Sequence, residues 1–385
     1  MNKGAFSTEK FKNIATPFYY YDVELLLKTL KVVKEEIKKY DFKEHYAVKA
    51  NANIHILKQI AAAGFGADCV SGNEIKAAAN AGFPTSKIVF AGVGKTDKEI
   101  NLALDYNIFC FNVESLPELE VLNSLAEKKG KTASVALRIN PNVDAHTHEY
   151  ITTGLNENKF GFSLSSLEHV LYGIKTMSNV QLIGIHFHIG SQITDVNTFL
   201  PLCKKVNELQ DLFESKGFKL QHINLGGGLG IDYEDPNANP MPDFKSYFEL
   251  FHQHLQIRKG QEVHFELGRA IVGQCGNLIT RVVYVKEGDS KKFVIVDAGM
   301  TDLIRPALYQ AYHKVENISS DLPEERYDVV GPICESSDVF VKDYELNKTT
   351  RGNLLALRSA GAYGEIMASQ YNCREIPKAY FSDSL

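Results

Sequence analysis

Several apolar runs in this 385-residue chain end on side chains capable of covalent or electrostatic chemistry. Lys49 closes one such run, in Tyr46-Ala47-Val48-Lys49-Ala50-Asn51. A lysine there is partly desolvated, which lowers its pKa and leaves a neutral amine able to form a Schiff base. The same residue could instead snorkel at a rim with its ammonium in water. Gly226-Gly227-Gly228 follows the run His222–Leu225 and allows backbone N–H groups to approach an anion such as phosphate, although it is also compatible with a plain tight turn. Glu266 sits in Val263-His264-Phe265-Glu266-Leu267-Gly268-Arg269, where it either neutralises Arg269 or accepts a hydrogen bond from a heterocyclic nitrogen. His186 and His188, two apart in a strand-like run, are expected on one face. That spacing also suits a metal, as in barrel hydrolases, but few acidic or histidine companions end the neighbouring runs. The pairs His146/His148 and His252/His254 fall in a predicted loop and a predicted helix and are expected to be solvated.

These residues need elements to place them. Between about residues 45 and 268, β-branched runs alternate with amphipathic stretches such as Ile54–Ala63 and Phe199–Lys216, the pattern of βα units. The strand-like runs are His45–Lys49, Ala67–Val70, Ile88–Ala91, Ile108–Asn112, Ser134–Asn140, Leu182–His188, His222–Leu225 and Glu262–Leu267. Eight strands with helices over roughly 220 residues predict an α/β fold, a (β/α)8 TIM barrel. A doubly wound sheet would need a glycine-rich turn after the first strand, and Val48-Lys49-Ala50-Asn51 is not one. After residue 270 the texture becomes β-rich (Leu278–Lys286, Phe293–Val296, Asp338–Val341, Leu354–Arg358), which predicts a second, mainly antiparallel β domain. Thr16–Tyr21 is strand-like and expected to join it, so the boundaries are 25–270 for the barrel and 271–385 with 1–24 for the β domain.

Barrel enzymes work at the C-terminal ends of their strands. Here those ends carry Lys49, Ser71, Asn112 with Glu114, Arg138, His188 with Ser191, the glycine triplet, and Glu266 with Arg269. A lysine for a Schiff base, an anion pocket, a carboxylate for a ring nitrogen and an imidazole for ring support together meet the requirements of pyridoxal 5'-phosphate.

Composition narrows the class without naming a reaction. With 44% hydrophobic and 23% charged residues, the chain reads as a folded enzyme rather than a disordered or membrane protein. Its net charge of −5 and the lack of a long Lys/Arg block argue against nucleic acid as a partner. No signal-peptide pattern opens the sequence, and no apolar run approaches a membrane span, so no membrane partner is expected. The six cysteines are widely spaced, which predicts reduced thiols and a cytoplasmic location.

The lysine, His186–Gln192, Gly226–Gly230, Glu266–Arg269 and Gly331-Pro332-Ile333-Cys334-Glu335-Ser336-Ser337-Asp338 motifs occur in the order and spacing of the alanine-racemase-fold, pyridoxal-phosphate-dependent amino-acid decarboxylases. The chain resembles that family from about Thr16 to Gly364, and within it most resembles the members acting on meso-2,6-diaminopimelate to give L-lysine and carbon dioxide, the last step of lysine biosynthesis. The resemblance implies that Lys49 carries the cofactor, His188 stacks on its ring, Ser191 and Gly226, Gly227 and Gly228 hold its phosphate, and Glu266 meets its ring nitrogen. It also places Gly268, Arg269 and Tyr363 at the cofactor, and Arg269, Arg305, Tyr309, Glu335 and Tyr363 at the substrate. Cys334 would be the proton donor; a thiol suits the task because its pKa is tunable near neutrality. Cys334 and Glu335 would come from the partner of a homodimer with shared active sites.

Within that resemblance, a distal carboxylate and ammonium on the substrate call for cations and an anion, supplied by Arg269 with Arg305 and by Glu335. Ornithine, arginine or lysine, the alternative substrates, have no distal carboxylate and would leave a buried arginine unpartnered. Leu267 and Ser337 depart from the family's commoner Pro and Gly.

Overall fold

The computed structural model describes residues 6, 8–143 and 159–385. After a short strand β1 (Phe18–Tyr21), eight parallel strands follow: β2 (Lys43–Ala47), β3 (Gly66–Cys69), β4 (Ile88–Phe90), β5 (Cys110–Val113), β6 (Ala133–Arg138), β7 (Val180–His186), β8 (His222–Asn224) and β9 (Glu262–Phe265). They form a closed barrel in chain order, sealed where β2 pairs with β9 through Lys43↔His264 and Glu44↔Phe265. Each expected strand is present within a few residues.

Local signals explain where the intervening helices begin and end. Asn53 caps Ile54–Ala63 by accepting from His55 N, and Gly64 ends that helix in the left-handed conformation. Ser71 caps Gly72–Ala81, Thr96 and Glu99 form a capping box on Asp97–Tyr106, and Ser115 caps Leu116–Lys128. These N-caps start each helix a few residues past a strand end, which leaves the strand ends facing the barrel mouth.

Most strand ends fall one or two residues earlier than the apolar pattern suggests, and in two cases this moves a site residue off its strand. Strand β2 stops at Ala47, whose N–H bonds Leu267 O, and Val48–Ala50 forms a single 3-10 turn, so Lys49 lies on the turn rather than the strand. Strand β7 stops at His186, and His188 belongs to the loop that follows. The period-2 argument for a shared histidine face therefore does not apply to His186 and His188. His252 and His254 are exposed on the helix Phe244–His254. His146 and His148 lie outside the described residues.

The chain divides into two compact units, residues 30–230 with 243–268 and residues 1–29 with 231–242 and 269–385. Residues 231–242, expected within a continuous 25–270 barrel, group with the second unit. There Tyr233 OH accepts from Arg269 Nη1 at 2.6 Å and Gln274 Nε2 donates to Asn239 O. The second unit holds β10 (Gly276–Glu287), β11 (Lys292–Val296), β12 (Val315–Asn317), β13 (Glu324–Val330), β14 (Val339–Asn347), β15 (Leu354–Leu357) and β16 (Lys378–Phe381). Their sheet runs β12-β15-β10-β11-β13-β14, and β1 adds to β10 as expected. The sheet is mixed rather than wholly antiparallel, because β11 with β13 and β1 with β16 are parallel pairs. Phe11, Phe18, Tyr20, Ile279, Ile318, Leu354 and Ala356 form a core on it. Among the described residues, no helix is long and apolar enough to cross a membrane.

One ring anchors the barrel's outer layer to β9. Phe265 is fully buried, with centroids of Phe42, Tyr247, Phe248 and Phe251 at 5.3, 5.7, 5.0 and 5.1 Å. Phe265→Ala is expected to lower stability by about 3–5 kcal/mol, read from the denaturant midpoint, through lost burial and the cavity left behind. A loss under about 1 kcal/mol would contradict this packing role.

Candidate active site

At the barrel mouth the central group is Glu266, just past β9 and buried. Its Oε1 accepts from Asn112 Nδ2 of β5 at 3.1 Å and from Asn224 Nδ2 of β8 at 2.6 Å, and its Oε2 lies 2.9 Å from His186 Nε2 of β7. Burial alone would push the carboxyl up, but His186, by charge and hydrogen bond, together with Lys49 and Asn224 holds it well below the usual carboxylate range. His186 is thereby committed to Glu266. Three strands thus donate to one carboxylate that stays charged inside the barrel.

Lys49 reaches toward β3, with Nζ 3.7 Å from Asp68 Oδ2. Asp68 is buried, and desolvation, then the charge of Glu266, raise its carboxyl above the usual carboxylate range while Glu266 is held below it. Gly268 brings the end of β9 against the Lys49 turn: a Cβ there would sit 2.9 Å from Ala50 Cβ and 3.1 Å from Ala47 Cβ. Leu267, the departure from proline, donates the N–H that proline lacks to Glu44 Oε1 at 2.7 Å. Glu44 is itself buried, so the substitution partners a group that would otherwise stand without that donor.

Across the mouth, the loops after β7 and β8 carry His188, Ser191 and the glycines. A Cβ on Gly226 would collide with Phe187 O, and one on Gly227 with Glu266 O, so close backbone approach requires glycine. Among the described residues, the N–H groups of Gly227 and Gly228 donate no hydrogen bond, which leaves two backbone donors aimed at no protein acceptor. Such unpaired backbone donors beside glycines that allow close approach fit an anion such as phosphate. Burial, then the charges of Lys49 and Arg138, hold His188 well below the usual histidine range, and it is a neutral imidazole. The donors for a phosphate, a carboxylate for a ring nitrogen, a neutral ring and an amine fit pyridoxal phosphate.

A further buried pair props the same mouth. Arg138 Nη1 donates to Glu114 Oε1 at 2.9 Å, and Glu114 also accepts from Gly92 N and Gly161 N. The Arg138 guanidinium lies 4.5 Å from the Phe160 ring, fixing the described end of the Lys159–Gly161 stretch.

The second unit assembles its own cluster. Arg269 opens the short helix Arg269–Val272 and Arg305 opens Arg305–Tyr309. The Arg269 guanidinium is 5.0 Å from the Tyr363 ring; that of Arg305 is 5.7 Å from Tyr309, 5.8 Å from Tyr363 and 6.0 Å from Tyr233. Tyr363 has φ 57°, a left-handed conformation unusual for tyrosine. His313 Nδ1 donates to Arg358 O, so its bare Nε2 faces Arg305 Nε at 3.4 Å. Burial, reinforced by Arg305, lowers His313 to about 3, which keeps it neutral. Among the described residues, Arg305 has no carboxylate partner. Cys334 and Glu335 are exposed on the loop between β13 and β14. Ser337, the second departure, adopts no positive φ, so this loop does not need a glycine there.

Sequence reasoning located the strand ends but assigned no role to Asn112, Asn224 or Asp68. Asn112 and Asp68 could have been found as polar residues inside otherwise apolar runs. For Asn224 the signal was its place immediately before the glycine loop.

A family model described as pyridoxal-dependent decarboxylase, pyridoxal binding domain, matches residues 24–273. Diaminopimelate decarboxylase of Bacteroides thetaiotaomicron is 63% identical over 384 residues, covering 100% of both chains. The crystal structure of diaminopimelate decarboxylase from Helicobacter pylori complexed with L-lysine superposes with a TM-score of 0.91 at 40% identity, covering 97% of this chain and 94% of that one. A lysine/ornithine decarboxylase from Vibrio vulnificus shares the fold, with a TM-score of 0.85 at 20% identity over 98% and 97% of the two chains.

Because the Glu266 carboxyl titrates low in the folded state and normally when unfolded, its contribution is present above about pH 4.5 and lost as pH falls below it. Urea melts between pH 3 and 7 are expected to show wild-type stability declining more steeply below about pH 4.5 than in Glu266→Gln. Parallel profiles would contradict this charge state.

Proposed function

The chain belongs to the pyridoxal-dependent decarboxylases, and on that premise we propose that it converts meso-2,6-diaminopimelate to L-lysine and carbon dioxide. Pyridoxal phosphate is the cofactor and, when bound, supplies the sink for the electron pair released as the carboxylate departs. Lys49 is the attachment residue, with Asp68 beside it. Glu266 would accept from the ring nitrogen and His188 would support the ring face. Gly227 and Gly228 N–H groups, with Gly226, Ser191, Gly268, Arg269 and Tyr363, complete the binding set.

Arg305 is the observation that carries the substrate choice. A buried guanidinium without a carboxylate is costly unless a ligand supplies one. The distal carboxylate of diaminopimelate meets that need beside Arg269 and Tyr309, whereas ornithine, arginine and lysine lack it. Glu335 receives the distal ammonium. After carbon dioxide leaves, the carbon it left takes a proton from Cys334 Sγ, and the thiolate recovers one from solvent.

Cys334 and Glu335 serve the neighbouring subunit's site in a homodimer. Their exposure supports this, as do Leu308, Ile366 and Tyr371, which are 42%, 46% and 48% exposed on the same unit. All six cysteines are free thiols, which favours the reducing cytoplasm.

Carbon dioxide release from meso-diaminopimelate is expected to exceed that from ornithine, arginine and lysine; faster release from ornithine would overturn the substrate. Borohydride is expected to fix a pyridoxyl label on Lys49 that is absent in Lys49→Ala, and a label elsewhere would reassign the attachment. Arg305→Leu should raise KM by about tenfold or more while cofactor absorbance persists, and an unchanged KM would remove Arg305 from the substrate site.

A further inference from the structure

Tyr371 touches the binding residues through Glu335. Its hydroxyl donates to Glu335 Oε1 at 2.8 Å. The phenol stands on a 3-10 turn, Tyr371–Cys373, whose Asn372 and Cys373 adopt φ of 55° and 58°. Arg374 ties the next residue down, with Nη2 donating to Asp297 O at 2.6 Å.

The loop bearing Glu335 is fixed at its base by a different group. Asp338 is buried, and its Oδ2 accepts from Ile333 N at 2.7 Å while its Oδ1 accepts from Met300 N at 2.6 Å. Gly331 N bonds Asp338 O, and Asp338 N bonds Glu335 O, so the backbone on both sides of Cys334 and Glu335 is pinned. The Glu335 side chain is exposed and gains nothing from that clamp beyond its Cα position. A long glutamate side chain keeps its rotamer freedom unless a partner restricts it. Tyr371 is that partner. It engages one carboxylate oxygen as a donor and leaves the other lone pairs for a ligand. The hydrogen bond to Glu335 also raises the phenol's pKa, which keeps it a donor.

We propose that Tyr371 is a positioning residue for substrate recognition: it presets the Glu335 carboxylate to receive the substrate's distal ammonium, and so helps select diamino over monoamino substrates. This rests on the reading of Glu335 as the ammonium acceptor. On this reading Tyr371 acts through Glu335, so its loss should weaken binding and leave the chemical step alone.

Steady-state carbon dioxide release from meso-diaminopimelate by the holoenzyme, measured for wild type, Tyr371→Phe, Glu335→Gln and the double variant, tests it. Tyr371→Phe is expected to raise KM about fivefold with kcat within about twofold, and to add nothing in the Glu335→Gln background. Phe keeps the ring and its packing, so a change in KM alone reports the hydroxyl. An unchanged KM in Tyr371→Phe beside a raised KM in Glu335→Gln overturns the proposal and spares the Glu335 reading. Additive effects of the two substitutions also overturn it. An unchanged KM in Glu335→Gln overturns the reading beneath it.

Discussion

A carboxylate that must remain charged inside a barrel is the constraint on which the mouth of this molecule is organised. Removing one partner from a buried charge typically costs about 3–5 kcal/mol, so Glu266 requires its donors. They come from β5, β7 and β8, while the carboxylate follows β9. Register among four strands is thereby tied to one side chain. Burial first, and then the charge of Glu266, raise the neighbouring Asp68.

The second unit solves the opposite problem. Two buried cations, Arg269 and Arg305, stand among tyrosine rings, whose faces offer partial negative charge. His313 is held neutral beside Arg305 and adds a lone pair rather than a charge. Among the described residues Arg305 has no carboxylate partner, and the proposed choice of substrate rests on that feature.

Much of this was legible in the residues. Alternation of β-branched runs and amphipathic stretches located all eight barrel strands, and reading strand ends found Lys49, Glu266 and the glycines. Boundaries were less secure. Periodicity cannot reveal that Ala47 is the last residue to make a ladder bond before the chain turns, which moved Lys49 off the strand. Strands β12 and β13 escaped notice because one is three residues long and the other begins Glu324-Glu325-Arg326, exposed and charged. Asn224 and Asp68 stand out locally, but their partners, and the Leu267–Glu44 bond, lie across the barrel, where no local pattern reaches.

We propose that Glu266 stays ionised in order to hold a protonated ring nitrogen of the cofactor. Nitrogen NMR of the holoenzyme, loaded with isotopically labelled pyridoxal phosphate at neutral pH, tests it most directly. A protonated pyridine nitrogen that loses its proton in Glu266→Gln is the predicted result. An unprotonated nitrogen in the wild-type enzyme would contradict the account.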